Sequence, residues 1–286
     1  MSTTHVLPVV QGSVAEVIVR GEGMQITSHI VTTPPRDAAS VVLLRDGHDG
    51  LEVFLMKRAA QSDVLGGAYV FPGGKVDQAD EQAELAQALA TEAAHRDLLA
   101  HLAEPGLSPQ AAASLFVAAV REAREECGVA LAATDLLPWV RWITPRQASL
   151  MNKRFDTRFF LAAMPEGQAA LHDDHETTAS EWMTPRSALQ RYWAREFDMA
   201  PPQIMSLVHL HAHCTVADAL AEARTRFPPT VAPEPFDHEG MRVICYPGDE
   251  RHSHPTPVLP GPTRLMFRNR RFEPASGTLE ELLGRR

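Results

Sequence analysis

The alternation of hydrophobic and polar positions predicts strands in several parts of the chain. Apolar and β-branched residues occupy 38–45 and 51–58, on either side of a short stretch rich in glycine and aspartate. Two such runs joined by a turn-rich tip are typical of a β-hairpin. The same reading predicts strands over 139–144, 154–163 and 176–183. These segments are the ones that we expect to build the sheet of the fold.

Helical spacing of apolar residues dominates between the hairpin and the later strands. Leucines at near-helical spacing predict a helix over 81–102, which a Pro-Gly pair ends. Ser108 followed by Pro109 predicts the start of a second helix, because serine is a good cap and proline suits the first helical position. We expect that helix to end at Gly128 in a left-handed cap.

The carboxyl-terminal third is predicted to be helical first and proline-rich afterwards. Residues 187–197 are predicted to be helical, and helices are also expected over 201–210 and 216–226. From 228 to 262 proline is dense, which favours irregular or extended chain. The first 35 residues are mixed and predict an arm or an extra strand.

Three carboxylates crowd one face of the helix that ends at Gly128. At 100° per residue, Glu122, Glu125 and Glu126 fall within about one third of its circumference. Like charges this close repel one another, so the arrangement suggests a bound cation, and oxygen ligands favour Mg²⁺. The alternative is a solvated acidic face offset by neighbouring arginines. The glycine pair at 73–74 favours the cation, because glycine lets backbone approach a metal or ligand closely.

These residues resemble the signature of the Nudix hydrolases. The stretch 121–129 matches the second half of that signature at every specified position, and Gly74 matches its first glycine. Asp80 stands where the family has its first glutamate. About forty residues rather than seven separate Asp80 from Arg121, so an insert of about thirty-three interrupts the motif. A coenzyme A diphosphatase subgroup is similar in carrying an insert there, and in its Phe-Pro-Gly-Gly turn.

The resemblance implies the α/β class, with a mixed sheet between helices in an α/β/α sandwich. We expect a Nudix domain over 36–200 with a helical insert at about 81–114. An arm or extra strand over 1–35 is expected to precede it. A helical and proline-rich extension over 201–286 is expected to follow it. Alternating predicted strands and helices agree with this class.

The resemblance also implies a Mg²⁺ or Mn²⁺ site. Glu122 and Glu126 would be the main ligands, and Glu125 a further ligand or an orienting group. The backbone carbonyl of Gly73 is a plausible additional ligand. Arg121 would hold the carboxylates in place through paired hydrogen bonds.

The base that deprotonates the attacking water differs among Nudix hydrolases. Glu125, Glu176 and Glu181 are the alternatives here. Arg58, Lys75 and Gly74 are the expected substrate contacts. The alternative for Arg58 and Lys75 is that they are solvated surface residues without a substrate contact, since lysine and arginine are usually solvated.

The expected reaction is metal-dependent hydrolysis of a nucleoside diphosphate linked to another group. Coenzyme A or acyl-coenzyme A is the first candidate substrate, although Asp63 occupies the position of an arginine that many coenzyme A-cleaving relatives carry. NADH, ADP-ribose and dinucleoside polyphosphates are the alternative substrates. Two alternative functions are a catalytically silent domain that senses a nucleotide, and a scaffold whose insert and tail bind a protein.

The composition of the chain restricts the binding partners and the cellular compartment that we expect. The net charge of −9 argues against nucleic-acid binding and against attachment to anionic membranes. The three cysteines are scattered, which favours a reducing compartment. The sequence has no long apolar run, so no membrane span is expected. We therefore expect a cytoplasmic enzyme. Related enzymes are frequently homodimers. The histidine-rich stretches 209–214 and 172–175 are expected to have structural or surface roles.

Overall fold

A computed structural model describes residues 30–62, 65–147 and 153–284. Most of the arm or extra strand expected over 1–35 lies outside these ranges. Asp63 also lies outside them.

Eight strands form a central sheet, and β1 lies in its middle. The strands are β1 (Arg36–Gly47), β2 (Gly50–Arg58), β3 (Tyr69–Val70), β4 (Gly73–Lys75), β5 (Leu137–Ile143), β6 (Phe155–Ala163), β7 (Thr177–Met183) and β8 (Thr230–Val231). Their order is β3-β2-β1-β6-β5-β8, with β4 also pairing β1 and β7 also pairing β2. β1 runs parallel to β6 and antiparallel to β2 and β4. The sheet is therefore mixed, as predicted.

Helices cover both faces of this sheet. They are α1 (Gln78–Gln82), α2 (Glu84–Thr91), α3 (Arg96–Ala100), α4 (Pro109–Cys127), α5 (Pro185–Trp193), α6 (Pro201–Leu210), α7 (Val216–Thr225) and α8 (Leu279–Leu282). Val41 and Leu43 of β1 belong to the core under α2–α4, whereas Val42 and Leu44 belong to the core under α5–α7. Alternate strand residues point to opposite faces, so both faces are buried and the predicted α/β/α sandwich is confirmed. Among the described helices, none combines the length and apolarity needed to cross a membrane.

The acidic helix begins and ends where its local sequence signals predict. The hydroxyl of Ser108 accepts a hydrogen bond from the Ala111 amide at 3.1 Å, and Pro109 occupies the first helical position. Gly128 ends the helix with a φ of 73°, a left-handed conformation that glycine adopts without strain. α4 therefore runs unbroken from the insert into the stretch 121–127.

The insert departs from the predicted single helix over 81–102. That prediction is wrong, because extended residues at Ala83 and Glu92 divide the segment into shorter pieces. The division lets α2 and α3 separately bury Leu89 and Leu99 against α4, whereas Leu85 stays exposed.

A buried ion network ties the end of the insert to the sheet. The carboxylate of Glu104 accepts hydrogen bonds from Nε and Nη2 of Arg158 in β6, at 2.8 and 2.6 Å. Arg141 in β5 lies 2.9 Å from the same carboxylate. Because Arg158 is almost completely buried, this network holds the insert beside the strands rather than in solvent.

The proline-rich tail forms a second sheet. Its antiparallel strands lie in the order β12-β11-β10-β9; they are β9 (Glu234–His238), β10 (Met241–Cys245), β11 (Arg264–Arg268) and β12 (Arg271–Glu273). The Tyr192 hydroxyl of α5 donates to the Phe272 carbonyl at 3.0 Å and accepts from the Phe272 amide at 2.7 Å. The tail is therefore extended rather than irregular, and it shares the core under α5–α7. The domain boundary at residue 200 stays a prediction.

Candidate active site

The glycine turn and the acidic helix meet in space despite the insert between them. The backbone amide of Gly73 donates a hydrogen bond to Oε2 of Glu126 at 2.8 Å. Gly73 belongs to β4, whose pairing with β1 carries the turn to the end of α4. The two halves of the interrupted motif therefore form one cluster.

Glycine is required at this turn because other groups approach the backbone closely. A Cβ atom at Gly74 would lie 2.2 Å from Oε1 of Glu122. A Cβ atom at Gly73 would lie 2.5 Å from the Ala39 carbonyl oxygen. Both distances are far below van der Waals contact, so any side chain here would displace Glu122 or separate β4 from β1.

Arg121 organises the carboxylates around it. Its Nε and Nη2 atoms donate to the two oxygens of Asp80 at 2.8 and 2.9 Å. Its Nη1 atom donates to Glu122 at 2.8 Å and to Glu125 at 2.9 Å. Nη2 also donates to the Lys75 carbonyl at 3.2 Å. One guanidinium therefore connects the first acid of the motif, the glycine turn and the acidic helix.

Burial destabilises the charged forms of two of the glutamates, Glu122 and Glu126. Glu126 is 5% exposed and Glu122 is 9% exposed. Burial raises the pKa of Glu126 to about 8, although the Gly73 amide acts in the opposite direction. Burial is also the main cause of a raised Glu122 pKa, against the lowering effect of Arg121. Carboxylate oxygens are the ligands that hard divalent cations prefer, so Glu122 and Glu126 could hold such a cation, with Glu125 nearby on the same helix.

A cavity of about 650 Å³ opens beside the carboxylates. Its lining includes ten charged residues: Arg36, Arg58, Lys75, Asp77, Arg121, Glu122, Glu125, Glu126, Lys153 and Glu176. Aromatic, aliphatic and proline side chains also line it, including residues of the carboxyl-terminal extension. The size and the mixed walls suit a ligand that has both a charged and an apolar portion.

Most of the sequence-predicted site residues line this cavity, but Glu181 is not among its lining residues. Glu176 lies with its carboxylate 3.7 Å from Nη2 of Arg58. Lys75 forms an ion pair with Asp77 and is half exposed. Glu181 of β7 instead accepts a hydrogen bond from Arg191 at 2.7 Å. The structure therefore brings Glu125 and Glu176, but not Glu181, to the cavity.

Several cavity residues escaped the sequence analysis. Trp142 and Gln203 line it, and so do Arg36 and Lys153, which add positive charge. Their positions in the chain follow no motif spacing, because strand pairing and the packing of α6 bring them together. For Gln203 one sequence signal was available, since it directly follows the proline pair that begins α6.

Comparison with known proteins gives consistent matches. The family model described as the NUDT19 Nudix domain matches residues 133–210. Acyl-coenzyme A diphosphatase NUDT19 of Xenopus laevis is 29% identical over 123 residues, which cover 40% of this chain and 31% of that protein. Putative nudix hydrolase 7 of Caenorhabditis elegans is 26% identical over 232 residues, covering 77% of this chain and 75% of that protein.

A solved structure agrees with the fold over its whole length. A NUDIX hydrolase from Alicyclobacillus acidocaldarius aligns with a TM-score of 0.51 and 26% identity, covering 66% of this chain and 97% of that structure. The fold, the carboxylate cluster and these matches agree with one another. The chain is therefore similar to the Nudix hydrolases and, among them, to the acyl-coenzyme A diphosphatase subgroup.

Proposed function

We propose that the protein is a metal-dependent diphosphohydrolase that cleaves a nucleoside diphosphate linked to another group. The observation that carries this proposal is the meeting of Gly73 with Glu126 at the wall of a large cavity. Buried carboxylates with raised pKa values are uncommon away from functional sites. Two of them that line a cavity with both charged and apolar residues support chemistry on an anionic substrate.

Glu122 and Glu126 would hold the cation, with Glu125 as a further ligand or orienting group. Gly73 pairs with Ser40 of β1, yet its amide donates to Glu126 rather than to that strand. The amide and carbonyl of one strand residue leave on the same side, which supports the Gly73 carbonyl as an additional ligand. When bound, Mg²⁺ or Mn²⁺ supplies positive charge that offsets the phosphoryl oxygens and acidifies water. Arg121 keeps the carboxylates in position.

The proton of the attacking water would pass to Glu125 or Glu176. The side chains of Glu125 and Glu176 are 60% and 63% exposed, and both residues line the cavity, so each is accessible to a water molecule there. As water attacks phosphorus, the bond from phosphorus to the bridging oxygen breaks and two phosphomonoesters leave. Geometric access favours these two residues over Glu181, which is paired with Arg191.

Arg58 is the better candidate for direct phosphate contact. Its guanidinium is mostly buried at the cavity wall, and its ion-pair distance to Glu176 is long at 3.7 Å. Its Nε atom has no hydrogen-bond partner among the described residues. Lys75 already pairs with Asp77, so it would have to exchange partners to bind a phosphate.

Coenzyme A or an acyl-coenzyme A is the first substrate to test. The relatives from Xenopus laevis and Gallus gallus are named acyl-coenzyme A diphosphatases. The sequence match covers only 31% of the Xenopus protein, so NADH, ADP-ribose and dinucleoside polyphosphates stay in the panel. A silent nucleotide sensor is the second candidate, but the retention of all three box glutamates favours catalysis.

A substrate panel tests this proposal directly. Purified protein is assayed with Mg²⁺, with Mn²⁺ and with EDTA on coenzyme A, acetyl-coenzyme A, NADH, ADP-ribose and diadenosine tetraphosphate. We expect metal-dependent release of phosphomonoesters from at least one substrate. Measurable nucleotide binding without any turnover would favour the silent sensor. A cytoplasmic location and a homodimer remain predictions that rest on the sequence alone.

A further inference from the structure

One peptide group joins the glycine turn to the acidic helix. It is the trans peptide between Pro72 and Gly73, and its N–H donates a hydrogen bond to Oε2 of Glu126 at 2.8 Å. In a trans peptide the C=O and the N–H point in opposite directions. The carbonyl of Pro72 therefore points away from Glu126.

Two donors of β1 hold that carbonyl. The Ser40 hydroxyl donates a hydrogen bond to the Pro72 oxygen at 3.0 Å, and the Val41 amide donates to the same oxygen at 2.8 Å. A carbonyl oxygen has two lone pairs, so these two bonds use its full accepting capacity. Ser40 is 7% exposed, so little water can take the place of its hydroxyl.

The local backbone alone does not set the orientation of this peptide. A peptide group turns through ψ of the residue before it and φ of the residue after it. Proline fixes only its own φ, and glycine accepts φ values that other residues avoid. After half a turn, the peptide would aim the Pro72 oxygen at the Glu126 carboxylate, and two electronegative groups would face each other. The contacts with β1 therefore decide which end of the peptide Glu126 meets.

We propose that Ser40 is a positioning residue for the cation site, because its hydroxyl holds the Pro72 carbonyl and so keeps the Gly73 amide aimed at Glu126. The amide fixes one oxygen of that side chain before a metal ion binds, in the way that outer hydrogen bonds orient metal ligands in other proteins. Ser40 acts through the peptide, since its hydroxyl is already engaged with Pro72. This inference rests on the proposed function, in which Glu126 holds the cation.

The test is equilibrium binding of Mn²⁺ to the full-length protein by calorimetry. Ser40→Ala removes the hydroxyl, and Ser40→Thr keeps it on a β-branched residue that suits a strand. Ser114→Ala is the matched control, because the Ser114 hydroxyl is also buried and donates to a backbone carbonyl, that of Ala111 at 2.9 Å, but Ser114 is not one of the cavity-lining residues. Thermal melting reports the folding of each variant. Hydrogen exchange of the Gly73 amide in the metal-free proteins reports its bond to Glu126.

We expect Ser40→Ala to lower the affinity for Mn²⁺ by about three- to tenfold, the effect of losing one hydrogen bond, and to speed exchange of the Gly73 amide. Ser40→Thr should restore both values, and Ser114→Ala should match the wild type in both. Unchanged Mn²⁺ affinity for Ser40→Ala would overturn the positioning role alone, as would an equal loss for Ser114→Ala. A wild type that binds no Mn²⁺ would overturn the cation site and the positioning role together, so the two failures can be told apart.

Discussion

Arg121 donates one hydrogen bond to each carboxylate oxygen of Asp80, at 2.8 and 2.9 Å, across 41 residues of sequence. Asp80 is 2% exposed and is the first acid of the interrupted motif. The hydrogen bond to Asp80 is also the main cause of the raised pKa of Arg121. The two halves of the motif are therefore adjacent in space despite the insert, because the ion pair between Arg121 and Asp80 joins the residues on either side of it.

Asp80→Asn should weaken both the fold and the site. The amide can accept only one of the two hydrogen bonds, and it leaves the guanidinium of Arg121 without its balancing charge. We expect the free energy of unfolding to fall by about 3 kcal/mol and kcat to fall because Arg121 no longer orients Glu122. Urea denaturation and steady-state kinetics measure the two effects. Asp80→Glu keeps the charge and should recover part of each; an Asn variant equal to the wild type would contradict the account.

The candidate proton acceptors can be separated by three matched substitutions. Removal of a general base lowers turnover by about 10²–10⁴-fold, so either Glu125→Gln or Glu176→Gln should show a loss of that size in kcat. Glu181→Gln is the control, since Glu181 pairs with Arg191 and is not one of the cavity-lining residues. Pre-steady-state rates at saturating metal make the comparison. A large loss confined to Glu181→Gln would exclude both Glu125 and Glu176.

Gly74→Ala should disable the site without unfolding the protein. The added methyl group would lie 2.2 Å from Oε1 of Glu122, so that carboxylate must move. Displacement of a site group by about 1 Å can lower kcat/KM by about 10²-fold, and we expect a loss of that order with reduced affinity for Mn²⁺. Gly106→Ala in the insert meets open space but has a φ of 93°, so it should reduce stability and leave kcat/KM unchanged. Normal kinetics for Gly74→Ala would show that catalysis does not depend on the position of the Glu122 carboxylate.

His209 should make stability depend on pH. Burial lowers the pKa of His209 to about 4, whereas an unfolded histidine titrates near about 6.5. The unfolded chain therefore binds more protons than the folded one between these values. Stability is complete above about pH 6.5 and falls as the pH falls, by up to about 1.4 kcal/mol per pH unit for this residue.

The histidine cluster gives a matched test of that dependence. Nε2 of His209 and Nε2 of His213 each lie 2.8 Å from one oxygen of Glu222, and Arg226 donates to the same carboxylate at 2.6 Å. His209→Gln can keep the hydrogen bond to Glu222 and removes the titration. Denaturation between pH 5 and 7 should show a shallower fall for this variant, whereas His48→Gln, at an exposed histidine, should follow the wild type. Identical slopes for His209→Gln and the wild type would refute the assignment.

Local signals in the sequence predicted α4 correctly. A cap at Ser108, a proline at the first position and a glycine at the end act within a few residues, and the structure confirms all three. The strand predictions around β1, β2, β5, β6 and β7 succeeded for the same reason, since apolar alternation is a local property. The meeting of Gly73 with Glu126 was anticipated only through the family resemblance, because no spacing rule spans an insert.

The features that the sequence analysis missed depend on distant contacts. The sheet β9–β12 forms in proline-rich chain because its strands pair with one another and pack under Tyr192, which no local pattern encodes. Trp142 and Gln203 reach one cavity from a strand and from a helix that are 61 positions apart in the chain. The breaks in the insert arise from packing against α4, so helical leucine spacing alone could not reveal them.

Titration of Mn²⁺ into the wild type and Glu126→Gln, with turnover measured on the same samples, tests the central claim most directly. The claim is that the glycine turn and the acidic helix form one cation site that is required for hydrolysis. We predict that the wild type binds Mn²⁺ and hydrolyses substrate only with a divalent ion, and that Glu126→Gln melts like the wild type but loses most of both. A Glu126→Gln protein that binds Mn²⁺ and turns over at the wild-type rate would contradict the account.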